Sequence, residues 1–463
     1  MRCLRLCLLL AWFTAALAGG SAYTEEPAAE VPAPAAAAAA AEDAKPDEDY
    51  YELYKTFADT LDQVERNYVE GISRRELMEA AIEGVLSKLD PHSNYINQDE
   101  INQFKAAVES QFGGIGIQIT IDEGALKVLS PLVGTPAYRA GLHAGDHITQ
   151  IDGQPTAGIN VDDAVKRLKG EAGTSVTLTV AHPGKAELET VTIVREIILI
   201  ETVLGDRHKL DDTWDFVLDQ EKRIGYIRIS GFSRDTARNV EKALKELESQ
   251  KFTGLIVDLR FNPGGLLTSA IEISDLFVAE GAIVSTEGRN SAKRSWDARE
   301  PGTFMGFPMA VLVNRYSASA SEIVSACLQD HKRAVIIGER TYGKGSVQNV
   351  IELEGGKTAL KLTTASYQRP NGKNIHRFPD AKDTDEWGVV PDDGYLVQLS
   401  DSEMLDLVKY RRDRDILHAP AEATPEAAPA PAAPEAAPAE GGFTDRQLQK
   451  AIEYLTTEVA AAK

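Results

Sequence analysis

The sequence predicts an α+β protein of several domains: a helical N-terminal unit, a small β-barrel-like domain, a βα layered core and a C-terminal helix. Three observations support this prediction. Helical periodicity fills residues 49–110, and short β-branched runs alternate with glycine-containing turns over 111–197. Buried-looking strands then alternate with helical patterns over 198–418, which is typical of a layered βα core.

The composition is that of a globular protein and excludes several classes of function. Of the 463 residues, 43 % are hydrophobic and 26 % are charged, so the chain is neither wholly disordered nor collagen-like. Acidic residues outnumber basic ones by 71 to 49, which gives a net charge of −22. Because nucleic-acid binders carry a basic surface, we expect no nucleic-acid partner. The three cysteines are too few for a disulfide scaffold or a four-thiolate zinc site.

The first segment, 1–22, has the features of an export signal. Arg2 and Arg5 precede the apolar run Leu6–Ala18, which is too short to span a membrane, since a span needs about 20 residues. Small residues suited to cleavage follow this run, and an uncleaved anchor is the alternative. The signal predicts an exported protein, located in the periplasm if the source is Gram-negative and in the cell wall or exterior otherwise. Association with the inner membrane stays open.

The N-terminal unit, 49–110, carries apolar residues at helical spacing in two stretches. Gly71 separates the stretches, and the pair Asp90-Pro91 ends the second one. The unit is therefore expected to be helical.

Glycines cluster where the β-rich domain begins, just before a predicted strand. The segment reads Phe112, Gly113, Gly114, Ile115, Gly116 and Ile117. Backbone N–H groups in such a loop can form a nest for a carboxylate. A peptide could then add as a strand beside this segment, with its last side chain held near Val165 and Leu168 of a short helix.

A second segment, 134–146, decides how this domain is interpreted. Glycine turns alone are equally compatible with a small barrel that binds nothing. The run Gly134-Thr135-Pro136-Ala137, continued by Ala140-Gly141-Leu142-His143-Ala144-Gly145-Asp146, resembles the PDZ pattern of exported proteases. The resemblance implies a PDZ domain over 111–197 that binds peptide C-termini.

Ser319 is the first candidate for a nucleophile. The apolar strand 309–313 runs into Asn314-Arg315-Tyr316-Ser317-Ala318-Ser319, and helical spacing follows. Ser319 would thus lie at a helix N-terminus, where free N–H groups favour developing negative charge and where the N–H of Ala320 could donate to an oxyanion. From this segment alone, a serine that merely caps the helix is the better interpretation.

Lys344 lies in a glycine-rich segment over 338–348. This segment nearly matches the phosphate loop Gly-x4-Gly-Lys-Ser/Thr, but Gly345 stands where the magnesium-binding hydroxyl is required. An exported protein also meets little ATP, so we reject the nucleotide-binding hypothesis. Glycines on both sides instead allow Lys344 to approach a neighbouring backbone closely, although an ordinary surface lysine remains the alternative.

A third segment, 258–266, ends a strand in a Pro-Gly-Gly turn before a helix. Backbone N–H groups of Gly264 or Gly265 can face a ligand there with no side chain in the way. An ordinary tight turn is the alternative.

Two segments rich in Ala and Pro, 23–48 and 419–442, have the composition of flexible linkers. The final segment, 443–463, predicts a short amphipathic helix. Its apolar residues at helical spacing are Leu448, Ile452, Leu455 and Val459. Such a stripe is typical of a docking surface, against the chain's own body or a partner subunit.

Together these segments resemble the carboxy-terminal processing, or tail-specific, serine proteases. Members of that family are exported Ser–Lys endopeptidases with a PDZ domain before the catalytic core. The resemblance covers about residues 50–375 and includes the order of the domains, and the serine and lysine motifs match in identity and spacing. The sequence departs from the pattern in an insertion over 376–387, in the linker 419–442 and in its long N-terminal tether.

The resemblance implies a role for each candidate residue. Ser319 corresponds to the nucleophile, Lys344 to the general base and Gln348 to the residue that orients the lysine. The implied oxyanion donors are Ala320, Gly264 and Gly265. Asp330 matches a further polar position with no assigned role.

The resemblance also implies the substrates and partners. Substrates are proteins with accessible apolar C-termini, and no cofactor or metal is implied. A lipoprotein adaptor and a homo-oligomer formed through the N- and C-terminal helices are expected partners.

The mechanism sets a physical condition on Lys344. A lysine in water has a pKa of about 10.4, so only about 0.04 % is neutral at pH 7 and able to accept a proton. The fold must lower that pKa by roughly three units, or about 4 kcal/mol, through apolar burial. We therefore expect Lys344 to be buried with no carboxylate near it. The competing hypothesis is a catalytically silent PDZ scaffold, against which the intact Ser319, Lys344 and Gln348 argue.

Overall fold

The computed structural model describes residues 50–109, 111–417 and 443–461. The predicted signal peptide 1–22 and linkers 23–48 and 419–442 lie outside the described residues. No helix within the described ranges is long and apolar enough to cross a bilayer.

The N-terminal unit is mainly helical, as its periodicity predicts. Ser73 and Glu76 form a capping box at the start of its second helix, which stops that helix from merging with the first. The elements are α1 (Tyr50–Asn67), α2 (Arg74–Leu86), β1 (Asn94–Ile96) and α3 (Ile101–Val108). α1 buries none of its side chains.

The second domain is built around a six-stranded sheet in the order β3-β4-β5-β7-β8, with β6 on β5, while β2 and β9 form a separate antiparallel ribbon. Among the described residues, strand β3 pairs with β4 alone and leaves an open sheet edge. The elements are β2 (Gln111–Gly114), β3 (Ile117–Asp122), β4 (Ala125–Pro131), α4 (Pro136–Arg139), β5 (His147–Ile151), β6 (Gln154–Pro155), α5 (Val161–Leu168), β7 (Ser175–Ala181), β8 (Leu188–Val194) and β9 (Glu196–Leu199).

The third domain has a central sheet in which β14, β15, β18 and β19 run parallel, with β10 and β13 antiparallel at one edge. A second sheet joins β1, β21, β16 and β17, with β20 on β21. The elements are β10 (Val203–Leu204), β11 (Arg207–His208), β12 (Trp214–Asp215), β13 (Val217–Asp219), β14 (Ile224–Ile229), α6 (Thr236–Ser249), β15 (Gly254–Asp258), α7 (Leu267–Asp275), β16 (Ala282–Gly288), β17 (Ser291–Asp297), β18 (Met309–Val313), α8 (Ala320–Asp330), β19 (Val335–Gly338), β20 (Ser346–Leu353), β21 (Thr358–Gln368) and α9 (Asp401–Asp415).

Helices cover both faces of the parallel sheet. α6, α7 and α8 pack on one face, and the final helix α10 (Arg446–Ala461) packs on the other through Leu448, Ala451 and Leu455. Burial on both faces explains why β15 and β18 are continuous apolar runs rather than alternating ones. The stripe of α10 therefore docks on the chain's own body. Of the two alternatives that the sequence left open for this stripe, packing on the chain's own body is the one seen here, and a homo-oligomer remains a prediction.

Candidate active site

Three turns meet at the edge where the parallel strands β15, β18 and β19 end. Carboxyl ends of parallel strands share one edge, so the turns 259–266, 314–319 and 339–345 become neighbours. The N–H of Ala318 donates to the carbonyl of Asn262 at 3.0 Å, which joins the first turn to the second. The N–H of Tyr342 donates to the carbonyl of Ser317 at 3.0 Å, which joins the second turn to the third.

Ser319 occupies a strained position at the start of α8. Its φ of +55° lies in the left-handed region, which a residue with a side chain rarely adopts. The side chain is 1 % exposed, and its Oγ makes no hydrogen bond with the described residues. Such backbone strain in a buried serine is typical of a functional site.

Glu322 ties the serine turn to the lysine turn, a role that the sequence interpretation missed. Its Oε2 accepts the backbone N–H of Ser319 and that of Lys344, both at 2.8 Å. Its Oε1 accepts the N–H of Gly343 at 2.6 Å and the hydroxyl of Thr341 at 2.5 Å. Burial raises the pKa of Glu322, and the four donors oppose that rise. The Ser-x-x-Glu capping pattern was the available signal, but it does not announce the contacts with the lysine turn.

Lys344 meets the condition of burial but not that of an acid-free environment. Its side chain is 1 % exposed, and its Nζ makes no hydrogen bond with the described residues. Burial, helped by the charge of Lys361, lowers the pKa of Lys344 to about 7. The expectation that no carboxylate lies near is wrong, because Glu322 and Asp90 both act to raise this pKa. Glu322 accepts the backbone N–H of Lys344, and both of its oxygens are engaged by N–H and hydroxyl donors, so it forms no hydrogen bond with the Lys344 amine in the described part of the chain.

The three candidate oxyanion donors differ in whether their backbone N–H already donates to another acceptor. Ala320 is the first residue of α8, where backbone N–H groups have no partner within the helix. The N–H of Gly264 donates to Oδ1 of Asn262 at 2.8 Å, so it is not free for an oxyanion, which corrects the sequence expectation. No backbone hydrogen bond of the described residues uses the N–H of Gly265. Ala320 and Gly265 are therefore the better pair of donors.

Gly264 instead allows close packing against the serine. Its φ is +104°, and a Cβ there would lie 2.8 Å from the carbonyl oxygen of Ala318 and 2.9 Å from Cβ of Ser319. Any side chain at this position would push the serine turn away.

Gln348 is buried on β20, close in sequence to the lysine. Its amide nitrogen donates to Oγ of Ser346 at 2.8 Å and to Oγ1 of Thr363 at 3.2 Å. Within the described residues Lys344 Nζ makes no hydrogen bond, so the expected hydrogen bond between Gln348 and the lysine is not seen in this conformation. Asp330 lies at the far end of α8, where it pairs with Arg369 at 2.7 Å.

Tyr367 is a further neighbour of Ser319 that the sequence did not indicate. Burial raises the pKa of Tyr367, and the Ser319 side chain beside it opposes that rise. Its position on β21 is fixed by sheet pairing, for which local sequence carries no signal.

The glycines beside Lys344 face protein and not a phosphate. A Cβ on Gly343 would lie 2.7 Å from Cβ of Arg377 and 2.9 Å from the ring of Trp387, and one on Gly345 would lie 2.3 Å from the backbone nitrogen of His376. The insertion 376–387 thus packs directly on the lysine loop.

The candidate peptide groove of the second domain lies between the open edge of β3 and helix α5. Ile117 and Val165 are half-buried beside this edge. Ile115 and Leu168, expected in the groove, are buried in the domain core instead. Phe112, Gly113 and Gly114, also expected there, form strand β2, which pairs with β9. Gly116 has a φ of +77° and starts the turn into β3.

Comparison with known proteins agrees with this arrangement of domains. Residues 223–392 match peptidase family S41, residues 127–182 match a PDZ domain, and residues 15–100 match the N-terminal domain of the activating protease CtpB. A carboxy-terminal-processing protease of Bartonella bacilliformis is 38 % identical over 373 residues, which are 79 % of this chain and 82 % of that protein. CtpB of Bacillus subtilis is 35 % identical over 316 residues, which are 68 % of this chain and 64 % of that protein.

A solved structure of a photosystem II D1 C-terminal processing protease is 29 % identical, covers 79 % of this chain and 91 % of its own, and has a TM-score of 0.44. The predicted fold class, a mixed α/β chain with a helical start, a PDZ domain, a protease core and a final helix, is confirmed. The chain belongs to the carboxy-terminal processing proteases, serine-type peptidases of family S41 with a PDZ domain.

Proposed function

We propose that this protein is an exported endopeptidase that cuts peptide bonds with a Ser319–Lys344 dyad and processes or degrades periplasmic proteins. One observation is the main support for the proposed dyad. A buried lysine without a hydrogen-bond partner and a buried, strained serine bind the same oxygen of Glu322 through their backbones, each at 2.8 Å. An uncharged amine beside a hydroxyl is the arrangement that a serine nucleophile needs for activation.

The reaction follows from these positions. Neutral Nζ of Lys344 takes the hydroxyl proton of Ser319 while Oγ bonds to the scissile carbonyl carbon. The N–H groups of Ala320 and Gly265 receive the oxyanion that forms. The carbon–nitrogen bond then breaks, and the leaving amine takes its proton from Lys344. Water hydrolyses the acyl-enzyme by the same proton route, and Oγ regains its proton.

Substrate capture is assigned to the PDZ domain. Strand β3 offers an open edge to which an extended peptide can add, and Val165 lies beside it for an apolar last residue. We infer that protein substrates with apolar C-termini bind there before cleavage.

Export and partners are proposed on other grounds. The charge and apolar pattern of residues 1–22 support a periplasmic location. α1 exposes Tyr50, Tyr51, Leu53 and Tyr54, which supports a subunit or adaptor interface at the N-terminal unit.

The alternative function is a silent scaffold that binds apolar C-termini without cleaving them. Incubation with an unfolded protein that ends in apolar residues separates the two hypotheses. The protease hypothesis predicts fragments from the unaltered chain and none from Ser319→Ala or Lys344→Ala. The exposed control substitutions Ser291→Ala and Lys293→Ala on β17 should leave cleavage unchanged. Equal, negligible cleavage in every sample would favour the scaffold.

A further inference from the structure

The loop that leaves α2 in the N-terminal unit lies against the strand next to the candidate dyad. Strand β1 pairs with β21, with Asn94 opposite Lys361. The N–H of Thr363 donates to Oγ of Ser93 at 3.0 Å, which continues this contact beyond β1. A segment distant in sequence thereby becomes a neighbour of the catalytic core.

Asp90 is the centre of this loop. Its Oδ1 accepts the backbone N–H of His92 at 2.7 Å and that of Ser93 at 2.9 Å, and its Oδ2 accepts the hydroxyl of Ser93 at 2.8 Å. Its Oδ1 also accepts the hydroxyl of Thr363 at 3.2 Å. Burial opposes ionisation, but these hydrogen bonds outweigh it and lower the pKa of Asp90. Asp90 is therefore a carboxylate that can only accept hydrogen bonds.

The direction of the Asp90–Thr363 hydrogen bond also determines how Thr363 bonds to Gln348. Because Asp90 only accepts, the single hydroxyl proton of Thr363 must point at it, and the Thr363 oxygen is left as an acceptor. The amide nitrogen of Gln348 donates to that oxygen at 3.2 Å and to Ser346 at 2.8 Å. Both amide protons are then engaged, so the chain of donors fixes which way the amide of Gln348 faces. Its carbonyl oxygen is held on the opposite side, the one atom of this side chain able to accept from a protonated lysine.

Other titratable side chains lie near Asp90 and Lys344. Burial, together with the charge of Lys344, lowers the pKa of His92 to about 4, and burial lowers the pKa of Lys361 to about 8 and that of His376 below its usual range. Near neutral pH both histidines are thus uncharged. Asp90, Glu322 and Lys361 are the charges that act on Lys344.

We propose that Asp90 is a positioning residue for the Ser–Lys reaction: through the hydroxyl of Thr363 it sets the amide of Gln348, so that the N-terminal unit completes the active site. This inference rests on the proposed function. Asp90 does not touch the substrate in this account. Asp90 fixes the direction of the Gln348 carbonyl oxygen, which would accept a hydrogen bond from Lys344 once that amine has taken the serine proton. Separately, the charge of Asp90 raises the pKa of Lys344.

The test is a double-substitution cycle in the full chain, with a fluorogenic peptide as the substrate. Asp90→Asn and Thr363→Val should each lower kcat at least about tenfold with little change in KM, because a misplaced group costs rate more than binding. The double variant should be no slower than the slower single variant, since both changes break one relay. Asp99→Asn, an exposed acid of the same unit, is the control and should match the unaltered enzyme.

The pH profile separates positioning from a merely structural role. Asp90→Asn removes a negative charge that raises the pKa of Lys344, so the acid limb of kcat/KM should move to lower pH, whereas Thr363→Val should leave the limb in place. Additive losses in the double variant, or an unmoved limb in Asp90→Asn, would overturn the proposal. If Asp90→Asn does not fold, an unchanged kcat in Thr363→Val alone overturns it.

Failure of this inference is distinguishable from failure of the dyad. Ser319→Ala and Lys344→Ala are measured in the same assay. If those two retain activity, the proposed function is wrong. If they are inactive while the relay variants match the unaltered enzyme, only the role of Asp90 is wrong.

Discussion

At the scale of single residues, the site depends on contacts too close to admit extra atoms. Ser319 holds a left-handed backbone that its own side chain disfavours, and Gly264 packs against it. Glu322 supplies the acceptor that keeps the serine turn and the lysine turn together. The side chains of the proposed dyad are thus positioned by neighbours that take no part in the proposed bond changes.

Gly264→Ala should abolish most activity. The new methyl group would lie 2.8 Å from the Ala318 carbonyl oxygen, so the serine turn must shift, and a shift of about 1 Å can cost about 100-fold in rate. Gly302→Ala is the matched control, because its φ of +92° is equally strained but a Cβ there has open space. Equal losses of kcat/KM in the two variants would show that strain, and not the contact with Ser319, is responsible.

Glu322→Gln should destabilise the protein and inactivate it. The amide NH2 that replaces one oxygen must face donors, which leaves buried donors without partners at a cost of about 1–3 kcal/mol each. The free energy of unfolding from denaturant titration should fall accordingly. Glu453→Gln on the exposed face of α10 is the control. Full activity and unchanged stability in Glu322→Gln would contradict the role of this carboxylate.

At the scale of elements, the last helix and the first catalytic turn are joined by a buried charge network. Arg260 lies in the turn 259–266, which also contains Gly264 and Gly265. It pairs with Asp258 at 2.7 Å and with Asp445, just before α10, at 2.9 Å. Gln447 also accepts from Arg260, at 3.1 Å. Docking of α10 therefore holds Arg260, a residue of the turn that contains the proposed oxyanion donor Gly265.

Asp445→Asn should lower the free energy of unfolding by about 1–3 kcal/mol, because buried Arg260 keeps Asp258 but loses the charge-assisted hydrogen bonding that Asp445 supplies. It should also lower kcat, since Arg260 loses one of the partners that hold the turn. Denaturant titration and steady-state kinetics check the two effects. A variant with unchanged stability would show that α10 docks through its apolar stripe alone.

The helices and strands show how much of the fold and of the candidate site the local sequence predicts. Apolar runs and helical spacing predicted β15, β18, α8 and α10, because these patterns reflect burial directly. The serine and lysine loops followed from motifs. The contacts of Asp90 with Thr363 and of Glu322 with the lysine turn could not be predicted from motifs, because they form between segments that are distant in sequence. Ile115 was predicted to line the peptide groove but is buried in the domain core, because the same glycine-rich segment contributes Ile115 to the core and Ile117 to the edge of the groove.

At the scale of the whole molecule, the PDZ domain is tied to the core at separate points. Strands β2 and β9 form the ribbon through which the chain enters and leaves it. The N–H of Leu417, just past α9, donates to Oγ of Ser130 at 3.2 Å, and the hydroxyl of Tyr138 donates to Asp212 at 2.5 Å. The open edge of β3 belongs to this attached domain, so the proposed peptide site and the proposed Ser–Lys dyad lie in separate domains.

Val165→Asp should weaken binding of a peptide with an apolar C-terminus by about tenfold or more, because a charge in an apolar pocket costs several kcal/mol. Binding is measured by calorimetry on the Ser319→Ala background, which prevents cleavage. Val194→Asp, on the exposed face of β8, is the control. Equal affinity in all variants would place the peptide site elsewhere.

The pH dependence of the reaction of Ser319 with a fluorophosphonate tests the central claim most directly, because it needs no knowledge of the natural substrate. Lys344 has a pKa lowered to about 7, so it is protonated and unable to act as a base below that value. The rate of labelling should rise as the pH passes through about 7 and then level off, and Lys344→Ala should remove both the reaction and the inflection. A rate that keeps rising up to the pKa of an ordinary lysine, about 10.4, or one that is unchanged by Lys344→Ala, would contradict the account.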